Sequence, residues 1–295
     1  MRCQQLLPIL ALALGVAVSA PPAAADTATP LAEGPWTAAH DASPAFAPDG
    51  GTVVFTRGSG TARRLYVAKR RDGTWSAPVQ APFSDRWMDF EPAMAPDGSY
   101  LVFVSNRPAN GAGKPLDGNW GGKAYPGRGG NLWRVDRAGD GWGTPRRLPD
   151  VVNAGTSIFS PAVAADGSLS FVRVDPANGT FRLYRSRLVQ GLYQAAQALA
   201  LGSGDANSDY DPAVAPDGSF LVFSSDRPPA PSNGGDLFIT FATREAWSAP
   251  VDLGVAGDEA RLGPDRTTLY FSAADHRIHR LALAPWLARH AAVKP

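Results

Sequence analysis

The sequence is poor in the residues that usually carry covalent chemistry. It has one cysteine, Cys3, and four histidines in 295 residues. Cys3 lies in an opening segment with the layout of a secretory signal peptide. Arg2 is the only charge before Asp26, an apolar run follows from Leu6 to Val18, and small residues come next. A small-x-small pattern allows cleavage after Ala20 or Ala25; the second is the better expectation, because the first would leave Pro21 and Pro22 at the new amino terminus. Cleavage would leave no cysteine, which excludes disulfides and thiolate catalysis even in an oxidising compartment. The apolar run is short of the roughly 20 residues that a membrane span needs, and no later run is longer. The expectation is an exported, periplasmic or secreted protein without membrane insertion.

Charge of one sign is lacking too. The 28 basic and 27 acidic side chains become equal in number once Arg2 is removed. A general nucleic-acid or anionic-membrane binder would show a basic excess, so neither partner is expected. The chain has no Gly-x-Ser-x-Gly elbow, no His-Glu-x-x-His and no phosphate-cradling Gly-Lys-Ser/Thr sequence. About 270 mature residues can still bury a substantial core.

What the sequence does contain is one unit written five times. Aligned on the aspartate of a Pro-Asp-Gly turn, the copies fall at Asp49, Asp97, Asp166, Asp217 and Asp265, with spacings of 48, 69, 51 and 48 residues. Before the turn comes a short apolar segment such as "PAFA" or "PAVA", and after it an alternating run such as "TVVFT", "YLVFV" or "TLYFS". Asp-Gly between two such runs marks a hairpin, since glycine accepts the positive φ of a tight turn. A third strand follows ("RLYVAK", "NLWRVD", "RLYRSR", "DLFITF", "RIHRLA"). An aromatic ten residues past its apolar anchor, at Trp75, Trp142, Tyr193 or Trp247, opens a fourth. The expected fold is all-β: a β-propeller of four-stranded antiparallel blades, five in number with six as the alternative. The fifth copy lacks a fourth strand, and the Trp-led "PWTAAH", Pro35 to His40, is expected to supply it and close the ring. The division is then a signal peptide at 1–25, a linker at 26–33, the propeller at 34–284 and a tail at 285–295. The tryptophans at 36, 75, 142 and 247 are expected between blades, each N–H on a carbonyl.

The Pro-x-x-x-Pro-Asp-Gly pattern with its following "LVFxSxRP" resembles the WD-like repeat of the TolB family of bacterial envelope proteins over about residues 34–283. The fifth copy departs from it, with Ala260 at the Pro position and Arg266 at the Gly. TolB itself resembles a six-bladed propeller with an amino-terminal α/β domain, which this chain has no room for. The resemblance implies a propeller and a binding habit, with envelope partners such as peptidoglycan-associated or outer-membrane proteins.

Strand alternation sorts the unusual residues onto faces. The lead into each innermost strand and the link between second and third strands share one face, and the Pro-Asp-Gly turns lie on the other. On the first face fall Asp41, Asp89 and Asp209, eight before the turn aspartate, and Glu91 and Asp211, six before it. Two readings stand: carboxylates capping inter-blade loops, or an acidic ring at the channel mouth that binds a cation or a basic partner. Arg107 and Arg227 share this face, either paired with those acids or touching a ligand. The long second repeat adds residues 108–130, with Trp120, Tyr125, Lys114, Lys123 and Arg128, either a recognition flap or a floppy insertion.

Two metal readings are weak. "DANSDYD", Asp205 to Asp211, spaces oxygens like a calcium loop, but Tyr210 stands where such a loop turns at Gly and Pro216 where its bidentate Glu belongs. His276 and His279, read as strand residues three apart, face opposite ways. No cofactor is expected, with calcium as the outside possibility. The functional expectation is a monomeric binding propeller that holds an envelope protein or glycan through Asp41, Asp89, Glu91, Asp209, Asp211, Arg107, Arg227, Trp120, Tyr125 and Lys123. The alternative is a hydrolase or lyase acting on a polysaccharide or peptide through channel carboxylates.

Overall fold

The computed structural model describes residues 31–36, 40–202, 204, 206–228, 235–244 and 246–293. The expected signal peptide and Asp205 lie outside them.

Five antiparallel sheets follow one another along the chain, each starting with an inner strand: Asp41–Phe46, Asp89–Met94, Ile158–Val163, Asp209–Val214 and Asp258–Leu262. Each inner strand neighbours the next, and the fifth returns to the first, so the ring is closed with five blades. The Pro-Asp-Gly segment joins every inner strand to the second strand. In all five turns the aspartate accepts a backbone N–H two residues on, at 2.8–3.0 Å (Asp49, Asp97, Asp166, Asp217 and Asp265). The repeated residue is an Asx-turn device. Neighbouring turns also pack closely, and a Cβ added at Gly98 would come 2.9 Å from the Pro48 ring.

The core repeats with the sequence. Phe55, Phe103, Phe171, Phe223 and Phe271, one per second strand, are completely buried. The third strands contribute Leu65, Leu132, Leu183, Leu237 and Ile278, all 2% exposed or less. Removing one such ring would cost about 3–5 kcal/mol in transfer and cavity terms. The fourth strands are weak. In the first two blades they break into two-residue pieces, Thr74–Trp75 with Val79–Gln80 and Gly141–Trp142 with Arg146–Arg147. Pro78 and Pro145 between the pieces have no N–H for the ladder. The fourth blade has a full outer strand, Val251–Ala256.

The amino-terminal segment closes the last blade, at a different place from the one the Trp-led pattern suggests. Leu31 bridges His279, and the Ala32 N–H donates to the Ile278 carbonyl at 2.9 Å. Trp36 instead fills the seam between the first and fifth blades, against Phe46, Phe55 and Tyr270, with its Nε1–H on the Ala32 carbonyl at 2.7 Å. The tryptophan reading therefore holds for Trp36, while the paired residues fall inside the segment assigned to the linker. Past the last strand, Ala284–Val293, most of the segment assigned as the tail, forms a helix. Trp286 and Leu287 pack on the core between the last two blades, and His290 stacks on Phe241 with ring centroids 3.9 Å apart. Among the described residues no helix is long and apolar enough to cross a membrane.

Candidate functional site at the channel mouth

Each inner strand carries a β-bulge at the same place. The residue six before the turn aspartate has a positive φ in all five blades: Ser43 (51°), Glu91 (49°), Ser160 (49°), Asp211 (51°) and Glu259 (52°). Left-handed backbone costs a non-glycine residue roughly 1–2 kcal/mol, and the next residue is proline in four blades. The conformation persists because it brings these side chains together around the axis. Ser43 Oγ donates to Glu259 Oε2 at 2.7 Å, and the Glu259 N–H donates to Asp211 Oδ2 at 2.7 Å. Ser160 Oγ donates to Asp211 Oδ1 at 2.5 Å, and its N–H to Glu91 Oε2 at 2.6 Å. Three carboxyls and two serines thus link blade to blade.

Four positions before the turn, four blades have alanine and the fifth has Arg261. This side chain is 5% exposed and crosses the ring, with Nε donating to the Pro92 carbonyl of the second blade at 3.0 Å. It separates the two ends of the channel. On the turn face a cavity of about 100 Å³ is walled by Pro48, Pro96, Pro216 and Pro264. On the opposite face a cavity of about 330 Å³ opens over the carboxyls. Its walls are Phe90, Phe159, Phe181, Tyr210 and Trp120 with Met88, its floor Glu91, Asp211 and Ser160, and its rim Asp258, Glu259, Arg63 and Arg128.

Crowded acids in a dry setting favour the neutral form. Burial, then the charges of Asp211 and Glu259, push Glu91 up to about 8 against the pull of Arg63 and Arg261. Asp211 is raised by burial and by Glu259. Asp258, exposed at the rim, is raised too, by partial burial and then by its neighbours Glu259 and Asp211. Burial lowers Arg261, while the three ring acids hold it charged. Glu91 has one committed oxygen, Oε2 on Ser160. Among the described residues no hydrogen-bond donor reaches its Oε1, which faces the cavity.

The other predicted residues go elsewhere. Asp41, Asp89 and Asp209 are buried in ion pairs within their own blades: Asp41 with Arg57 at 2.7 Å, Asp89 with Arg107 at 2.8 Å and Asp209 with Arg227 at 2.6 Å. Each of these arginines also lies over its blade's buried phenylalanine, Phe55, Phe103 or Phe223. Of the two readings for Arg107 and Arg227, the structure has the pairing, and none of these six side chains lines the mouth cavity.

The insertion is ordered at its root. The Leu116 N–H donates to the Asn106 carbonyl and the Gly129 N–H to the Leu116 carbonyl, while Asn119 holds Ser157 and Thr156 of the third blade. Its hairpin, Gly118–Trp120 with Lys123–Tyr125, stacks Trp120 on Tyr125 at 4.0 Å and sets Trp120 edge-on to Phe159. Trp120 therefore belongs to the cavity wall, whereas Lys123 is exposed on the hairpin.

Asp209 and Asp211 of the calcium-like run point to different partners, Arg227 and the ring. His276 sits in the turn before the last strand, its ring tilted against His40 with centroids 5.0 Å apart, and His279 bonds Asp275 at 3.0 Å. Among the described residues no group of three or more His, Cys, Asp or Glu is placed to hold a metal ion. Sequence reading passed over Glu259 and Arg261. Glu259 has the same offset as Glu91 and Asp211 and was findable by it; the degenerate fifth repeat hid it.

No family model matches the chain, and no curated protein matches its sequence. Solved structures do match its fold. A TolB-type protein from Agrobacterium tumefaciens is 17% identical with a TM-score of 0.51, over 80% of this chain and 71% of that one. A thermostable family-43 glycoside hydrolase is 10% identical with a TM-score of 0.53, over 82% of this chain and 88% of the other. TolB from Acinetobacter baumannii is 15% identical with a TM-score of 0.49, and this chain spans 54% of its length. Likeness at these identities is one of fold, and the fold is a five-bladed, TolB-like β-propeller.

Proposed function

We propose that this chain is an exported, non-enzymatic propeller that captures an envelope partner, a protein or a glycan, by a protruding tip received in the channel-mouth cavity. The observation that carries this reading is the cavity itself: a concave, aromatic-walled space on a rigid closed ring, with convergent polar groups on its floor. The contact set is narrower than the sequence suggested. Glu91, Asp211, Glu259, Trp120 and Tyr210 form it, and the buried Asp–Arg pairs hold the blades that position it.

Affinity capture from an envelope extract tests the reading, with wild type compared with Trp120→Ala and Tyr210→Ala at matched thermal stability. Loss of the captured partner in both variants is the expected result; retention in both overturns the mouth as the capture site. A second reading rests on Glu91, whose raised carboxyl could serve as a proton donor to a leaving group. Turnover of a polysaccharide or peptide panel by wild type, abolished in Glu91→Gln, would establish it in place of simple binding.

A further inference from the structure

We infer that the mouth cavity is an organic-ammonium site, in which a protonated primary amine is seated on Glu91 and flanked by the aromatic wall. This deepens the capture reading by naming the chemistry of the captured tip, and it rests on that reading for its biological setting.

One oxygen of Glu91 is left over. Glu91 is 7% exposed, yet only its Oε2 is engaged, on the Ser160 N–H. Among the described residues no donor reaches Glu91 Oε1, and this oxygen is not one of the fully enclosed unpartnered atoms, so the cavity gives solvent or a ligand access to it. A partner there must be a donor if Glu91 is ionised. The neighbouring acids are already accepting: Asp211 takes Ser160 Oγ and the Glu259 N–H, and Glu259 takes Ser43 Oγ. They contribute field more than free acceptor sites.

Charge balance gives the sign of the ligand. Four acids line the cavity, Glu91, Asp211, Asp258 and Glu259, against Arg63 and Arg128. Arg63 is partly spent, with its guanidinium over the Phe90 ring at 5.0 Å and 4.0 Å from Glu259 Oε1. Arg261 lies below the floor, bonded to backbone carbonyls of Pro92 and Ala260. Once pH rises past about 8, where Glu91 and Asp258 ionise, the carboxylates outnumber the two guanidiniums, and the field there favours a cation over a carboxylate or a phosphate.

The walls give its shape. Phe90, Phe159, Phe181, Tyr210 and Trp120 offer ring faces and edges around a space of about 330 Å³. A cation gains from a desolvated aromatic face and from a charge-assisted hydrogen bond to a carboxylate. A bare metal ion has no use for such walls, and the described residues offer it no three-ligand cluster. An ammonium on a compact carbon body uses both features. Lysine side chains and amino sugars carry that group, and the test separates them.

Seating the ammonium also ionises the carboxyl. Burial, then Asp211 and Glu259, hold the Glu91 proton on, Arg63 and Arg261 pull it off, and Asp258 lines the same cavity. Adding a cation at Oε1 tips this balance, so the proton leaves Glu91 to solvent while the amine keeps its own. Binding should therefore release about one proton per ligand near pH 7 and tighten as pH rises toward 9, below the ordinary amine pKa of about 10.4.

Calorimetric titration of the full mature chain tests this with matched probes. These are Nα-acetyl-lysine methylamide against Nα-acetyl-norleucine methylamide, and glucosamine against N-acetylglucosamine. The expected result is at least about tenfold preference, 1.4 kcal/mol, for the charged member of one pair. Proton release should show as a heat that depends on the buffer. Glu91→Gln should abolish both the preference and the release, and Asp258→Asn, at an exposed position, should weaken the preference without threatening the fold. The pair that discriminates identifies the source as peptide or sugar. Equal binding of charged and neutral members, or no binding of either pair, overturns the ammonium site. If envelope capture still depends on Trp120 and Tyr210 in that case, the mouth reading survives and only its ligand chemistry falls.

Discussion

Replacing Glu91 with glutamine should make this protein more stable in mild alkali and leave it nearly unchanged in mild acid. A carboxyl whose folded-state pKa stands at about 8, against an ordinary 4.5, binds its proton more tightly when folded. That contribution is fully present below the unfolded pKa and is lost as pH rises through the folded one. The loss runs at about 1.4 kcal/mol per pH unit near pH 6 and at about half that at pH 8, roughly 2.3 kcal/mol over the interval for one independent group. Because Glu91 and Asp211 shift in the same direction and share one ring, their protons leave as a coupled pair, and the slope belongs to the pair. Glutamine keeps an acceptor for the Ser160 N–H and cannot ionise, so it removes the Glu91 share. The assay is urea unfolding at pH 6.0 and 8.5, comparing wild type with Glu91→Gln. The expected outcome is a wild-type midpoint that falls with pH and a variant midpoint that falls less, so that the variant is the more stable at pH 8.5. A variant less stable by the same amount at both pH values would refute the reasoning, since Glu91 would then act through packing alone.

Asp89→Ala leaves Arg107 buried without its carboxylate and should cost about 3–5 kcal/mol; an Asp89→Ala/Arg107→Ala double mutant less destabilised than the two singles summed would confirm that the pair acts as a unit. Arg261→Met takes the cation from beneath three carboxyls, so the loss in urea midpoint should be larger at pH 8.5 than at pH 6.0, and equal losses would count against an electrostatic role. Arg266 has φ +60° where the other four turns carry glycine. Arg266→Gly should therefore raise the melting temperature through roughly 0.5–1 kcal/mol of relieved strain, partly offset by unfolded-chain entropy, and a fall would show that the arginine side chain does more than tolerate its place.

The repeat made the blades legible because each copy restates the same physical needs. Five turn aspartates, five buried phenylalanines and five third-strand anchors are periodic in the sequence and periodic in space. The faces were legible too, since strand direction alone separates the turns from the channel mouth. Partners were harder. Asp41 meets Arg57 because the first hairpin sets them directly opposite, whereas Asp89 and Asp209 face serines and reach arginines two residues further on. Such choices follow from register and bulge position, which alternation cannot supply. The bulge itself was hidden, because a positive φ at serine or glutamate before proline carries no glycine to announce it. The closing residues Leu31 and Ala32 have no repeat signature, and the helix over Ala284–Val293 is read only once Pro285 is seen as a first-turn residue with Trp286, Leu287 and His290 behind it.

The degenerate fifth repeat is where the ring departs from symmetry, and its departures have one physical effect. An unbroken fivefold pattern with alanine four residues before each turn would leave an open axial channel walled by small side chains. Arg261 fills that space and reaches across to the second blade, so the channel becomes two cavities with different chemistry at each end. A buried guanidinium is costly alone, and so is a cluster of buried carboxyls. Held together on one axis, each lowers the cost of the other. Arg261 therefore closes the axis between a proline-walled end and an end floored by carboxyls.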